Sequence, residues 1–241
     1  MDAPAGVRAS APAFDRVVAW DLPTRLFKWS LVALIGLAWA SDKYGGSVPA
    51  WHKANGYAIL TLVVFRLLWG VFGGSSARFS AFLPTPRKLS AYVGAAFAGR
   101  PLHYLGHNPV GSLMVLALLA AVGAQAVSGL YSADPDRLFI EGPLAATVSD
   151  AAVETASRLH RLIFDAILVL AAFHVAAVLY YDLVRREGLA RAMVAGVKRR
   201  AAYADMAECA PGRLFAAAAC LAGAAALVFG AIIALGGRGL F

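Results

Sequence analysis

Apolar residues run through this chain in long blocks separated by short polar segments. A helix that spans a bilayer needs roughly 17 to 25 mainly apolar residues, and such blocks lie at about 26–41, 55–73, 110–131, 159–182 and 214–236. The first is short and begins among charges, so its ends are the least defined. The pattern predicts an all-α integral membrane protein with five spans. Composition agrees, because 60% hydrophobic and 15% charged residues leave too little polar surface for a soluble globule.

A net charge of +8 raises the question of a nucleic-acid partner until the charges are sorted by segment. Arg8, Arg16 and Arg25 precede the first span. Arg78, Arg87, Lys88 and Arg100 occupy 75–109 without an acid, and Arg185, Arg186, Arg191, Lys198, Arg199, Arg200 and Arg213 occupy 183–213. The alternate segments differ: one carries Lys43 and Lys53, and 132–157 carries Asp134, Asp136, Glu141, Asp150 and Glu154 with Arg137. Basic segments on one side place the N-terminus in the cytoplasm and the C-terminus in the periplasm. The positive charge reads as topology, with membrane lipid as its partner and no nucleic acid.

Ala38-Trp39-Ala40 resembles a secretory cleavage site. Twenty-five residues including Asp2, Asp15 and Asp21 precede the block, however, whereas a signal peptide begins with a short basic segment, so the block is read as a retained span. The two cysteines, Cys209 and Cys220, form no CxxCH and no paired metal motif, which excludes covalent haem attachment.

The chemistry lies in the histidines. His160 and His174 are fourteen positions apart in one apolar block, just under four helical turns, so they share a face at heights about 21 Å apart. His52 and Arg66 repeat that spacing in the second block. Each imidazole has an ordinary reading as a hydrogen-bonding contact to a neighbouring helix. A buried arginine instead asks for an anion or a cavity. Two haems stacked across the membrane answer all four residues together: His52 and His160 on an outer iron, His174 on an inner one, and Arg66 on a propionate.

The stretches "VVAWDLPTRLFKWS", "WHKANGYAILTLVVFRLLWG", "ARFSAFLPTPRKLSAY" and "YLGHNPVGSLMVLALL", followed by the His160/His174 block, resemble in order the bacterial cytochrome b561 family, specifically the cytochrome b subunits of nickel–iron hydrogenases. The resemblance runs from about 17 to 200. It implies a four-helix haem-binding bundle with two non-covalent b haems and electron transfer between a periplasmic partner and quinone. By the same resemblance, His52 and His160 stand at the ligand positions of the periplasmic haem and His174 at one ligand position of the cytoplasmic haem. The other position, a histidine in the family motif, is Lys28 here. Lysine ligation, a five-coordinate iron with Lys28 on a propionate, and absence of the inner haem are the three outcomes the residue leaves open. His103 and His107 read as a solvated interfacial loop, with a quinone-binding or proton-relay role as the sharper reading of His107.

The chain therefore divides into a cytoplasmic segment of 1–25, a di-haem membrane domain of 26–200, and a linker with an additional C-terminal transmembrane helix in 201–241. The expected function is an inner-membrane electron relay, possible as an oligomer, between quinone and a cytochrome c or hydrogenase-like protein. Two other readings are oxidation of a small species such as superoxide with quinone as acceptor, and a haem-free scaffold. The acidic 132–157 segment reads as a docking surface for a basic partner or as a solvated face.

Overall fold

Two short strands and eight helices make up the described chain. They are β1 (Arg16–Val18), α1 (Leu22–Tyr44), α2 (Pro49–Phe72), α3 (Phe79–Phe82), α4 (Pro86–Phe97), α5 (Pro109–Tyr131), α6 (Asp150–Leu179), α7 (Leu189–Ala195), β2 (Val197–Arg199) and α8 (Leu214–Ala234). The structure is a computed structural model and describes residues 16–44, 49–100, 102–133, 141–206 and 208–238. Arg8, Asp134, Asp136 and Arg137 lie outside these residues.

Among the described residues, α2, α5, α6 and α8 are long and apolar enough to cross a membrane. A helix suits that role because it satisfies its own backbone polar groups where no water can. α1, the first expected span, has 23 residues but is not among the four. Arg25 and Lys28 in its opening turns dilute its apolar stretch. α6 begins nine residues before the apolar block expected at 159, because Asp150 to Arg158 forms a polar helical extension invisible to hydropathy. It ends in a wider π turn, Tyr180–Val184.

Local chemistry sets the helix starts. The Asp21 carboxylate accepts from the Thr24 amide at 3.0 Å, and the Asn108 side chain accepts from the Gly111 amide at 2.7 Å with Pro109 following. Each cap satisfies an amide that the first helical turn leaves without a partner.

α2 is the central helix: α1, α5 and α8 all pack on it, and α6 packs on α5. Ile59 and Val63 of α2 meet Val122 of α5 and Ile167 of α6 in one buried cluster. α8 packs on α2, with Ala224 against the Phe65 and Trp69 cluster and Val228 against Tyr57. Such contacts between membrane helices rest on close packing and not on exclusion of water.

The three basic segments converge on one end of the bundle. β1 pairs antiparallel with β2, in the register Arg16 with Arg199 and Val18 with Val197. Gly196 turns the chain into β2 at φ +81°, a conformation that favours glycine, and its carbonyl accepts from the amides of Ala19 and Trp20. Asp205 receives the amides of Leu105 at 2.7 Å and Gly106 at 2.8 Å. Cys209 donates its amide to Val18, and Ser75 donates to Ala210. Asp205, Cys209 and Ala210, in the stretch expected as a linker, thus tie it into a cap over this end.

Candidate functional site

At the opposite end, His52 projects from the first turn of α2 and His160 from the third turn of α6. Their ring centres are 6.3 Å apart with the planes at 77°. The ring nitrogens are differentiated by their partners. His160 Nδ1 lies 2.9 Å from the Gln125 carbonyl oxygen, which only accepts, so Nδ1 carries the proton and Nε2 the lone pair, the atom through which this ring could hold a metal. Gln125 Nε2 donates to that lone pair at 3.1 Å. His52 Nδ1 lies 3.1 Å from Ser41 Oγ, whose own hydrogen goes to the Ala38 carbonyl at 2.8 Å. With the Ser41 hydrogen on that carbonyl, His52 Nδ1 is the donor there and Nε2 carries the lone pair. Gly129 lets the His160 ring lie against α5, because a Cβ at that position would stand 2.9 Å from His160 Cε1.

This geometry fits a haem. Metal–imidazole bonds of about 2 Å on either side of one ion set the ring centres about 6 Å apart, which matches the observed separation. Among the described residues no group of three His, Cys, Asp or Glu side chains is arranged to hold a bare metal ion. A pair of imidazoles suits an iron that brings its remaining nitrogens in a macrocycle.

At the capped end, His174 is half-buried on α6 and within electrostatic reach of Lys28 on α1. Lys28 Nζ stands 3.2 Å from Met193 Sδ of α7 and 3.9 Å from the centre of the Trp20 ring. Arg66 is 3% exposed, with its guanidinium 5.0 Å from the Phe79 ring and 5.6 Å from Phe82. Its Nη1 is buried with no hydrogen-bond partner. Asp21 is the neighbouring buried carboxylate, holding the Trp69 indole N–H at 3.2 Å as well as the Thr24 amide.

His107 departs from the expected solvated loop. Its ring packs between Trp20, at 4.6 Å, and Phe82, at 5.3 Å, and its Nδ1 is buried without a partner. Burial, reinforced by the charges of Lys28 and Arg66, pushes it well below the ordinary imidazole value, so the ring is neutral at pH 7. The reason is tertiary, since Trp20 comes from the other side of the cap. His103 does face solvent and pairs with Glu187 at 3.3 Å.

Sequence reasoning passed over Ser41, Gln125, Gly129 and Met193. Nothing in the local sequence links them to a histidine. The Trp20-Asp21 motif likewise acts as a docking element: Asp21 caps α1, Trp20 covers His107 and Lys28, and Arg25 donates to the Val194 carbonyl. In the acidic segment, Glu154 already faces Arg158 across one helical turn at 3.9 Å, both exposed.

A family profile described as prokaryotic cytochrome b561 matches residues 19–196, from the start of the Trp-Asp motif to the turn before β2. The match stops short of α8. No curated protein matches the chain.

Proposed function

The chain belongs to the prokaryotic cytochrome b561 family, membrane proteins that carry electrons on haem b, and we propose that it relays electrons between a periplasmic redox partner and quinone. A bound haem supplies a one-electron carrier at each site. The protein's part is to hold two such carriers at different depths. His52 and His160 are the proposed ligands at one end, and His174, just under four turns further along α6, is a ligand at the other. Lys28 is proposed opposite His174, reaching from α1, with Arg66 turned toward a propionate.

The observation that carries this reading is the 6.3 Å approach of the His52 and His160 rings from two different helices, each with Nδ1 against an oxygen, so that Nε2 is the nitrogen a metal would take, displacing the Gln125 amide from His160. The basic segments gathered at the Lys28 end support an orientation with that end and the N-terminus in the cytoplasm of a bacterial inner membrane and the C-terminus in the periplasm. The partner is proposed as a cytochrome c or a hydrogenase-like protein docking at the acidic end.

A second reading has one observation in its favour. The contacts of Lys28 with Met193 and Trp20 draw its amine toward the cap, and an iron held by His174 alone would be open to a small molecule such as superoxide. The test of both is a reduced-minus-oxidised optical spectrum of the purified protein with haem quantification. Two b haems are expected, and His52→Ala or His160→Ala should abolish one low-spin signal while sparing the other. A protein that purifies without haem, or variants with unchanged spectra, refutes the relay.

A further inference from the structure

We infer that Ser41 is a positioning residue that sets the reduction potential of the haem held by His52 and His160; the inference rests on the haem reading above. Ser41 stands near the end of α1, outside the pair of helices that bear the two histidines. Its hydroxyl has one hydrogen, committed to the Ala38 carbonyl at 2.8 Å. With Nε2 on the iron the His52 proton sits on Nδ1, and what Ser41 offers it at 3.1 Å is a lone pair.

That bond acts in two ways. It fixes the rotation of the His52 ring about its side chain, 6.3 Å from the His160 ring. It also draws electron density from the Nδ1–H into the ring, making Nε2 a more basic ligand. A more basic ligand stabilises ferric over ferrous iron and lowers the potential.

The two ligands are held by the same device with different chemistry. Each is anchored by the helix that precedes its own: α1 holds the histidine of α2, and α5 holds that of α6. His160 Nδ1 faces two oxygens, Ser128 Oγ at 3.1 Å and the main-chain carbonyl of Gln125 at 2.9 Å, and no side-chain replacement removes the carbonyl. On His52 the acceptor is a serine hydroxyl, which a single substitution deletes. The adjustable side of the haem is thus the His52 side.

The experiment uses the purified full-length protein with its haems, comparing wild type, Ser41→Ala and Ser41→Thr by potentiometric titration, haem content and low-spin electron paramagnetic resonance. The haem in question is identified as the one whose signal His52→Ala removes. Ser41→Ala should keep both haems and raise the midpoint potential of this one alone, while Ser41→Thr, which retains a hydroxyl, should return it to the wild-type value. Loss of this haem in the alanine variant with retention in the threonine variant also supports the assignment. An unmoved potential at full haem content, equal behaviour of the two variants, or loss of this haem from both overturns it. A wild type without haem would instead refute the relay itself, which keeps the two failures distinct.

Discussion

Lys28 Nζ lies 3.2 Å from the Met193 sulfur and 3.9 Å from the centre of the Trp20 ring, so the side chain at the motif's departing position is held by the cap. A thioether accepts weakly and an indole face attracts a cation by about 0.5–2 kcal/mol. A metal–amine bond can displace both. If Lys28 completes the site of His174, Lys28→Ala should convert a low-spin haem to one that is high-spin or binds carbon monoxide. Lys28→His should give a bis-histidine spectrum, and Met193→Leu should leave the low-spin fraction equal or higher. Ready carbon monoxide binding in the wild type, unaltered by alanine, would exclude lysine as the ligand and favour the small-molecule reading.

Gly129 and His160 make the second prediction. With a Cβ at 2.9 Å from His160 Cε1, Gly129→Ala must displace the ring or separate α5 from α6, and overpacking of this kind costs about 1–3 kcal/mol. The expected result is a lower thermal midpoint in detergent together with selective loss of the His52–His160 haem. Full haem content and unchanged stability would show that the close approach is dispensable.

The neutral ring of His107 predicts a pH dependence of stability. Burial lowers its folded value below the unfolded value of about 6.5, so between these two values the unfolded chain binds more protons. Stability from this group is complete above about pH 6.5 and declines as pH falls toward the folded value, with no further change below it. His107→Phe should flatten that acid limb in denaturation curves recorded from pH 7.5 downward. An identical limb in the variant would assign the effect to other groups.

The acidic segment carries a prediction about encounter. Long-range attraction is screened beyond about 8 Å at physiological ionic strength, so reduction by a basic periplasmic donor should slow as salt rises. Neutralising Glu141, Asp150 and Glu154 together should lower the encounter rate and its salt dependence. Stopped-flow reduction with cytochrome c as donor measures both; rates indifferent to salt and to the charges would leave the segment as a solvated face.

The helices and the spacing of His160 and His174 were legible along the chain, because bilayer thickness and helical rise convert residue count directly into depth. Charge by segment carried the proposed orientation for the same reason: each is a one-dimensional quantity. Hydropathy missed the polar start of α6, where no apolar signal marks the helix. His107 was read as solvated because its cover, Trp20, is eighty-seven positions away in sequence. The bonds of Ser41 to His52 and of Gln125 to His160 are likewise products of helix pairing. What the sequence alone determined is which residues lie at which depth. Which oxygen stands against Nδ1 of each histidine was decided only in the tertiary structure, because a ring's tautomer depends on the acceptor that a neighbouring helix brings to it.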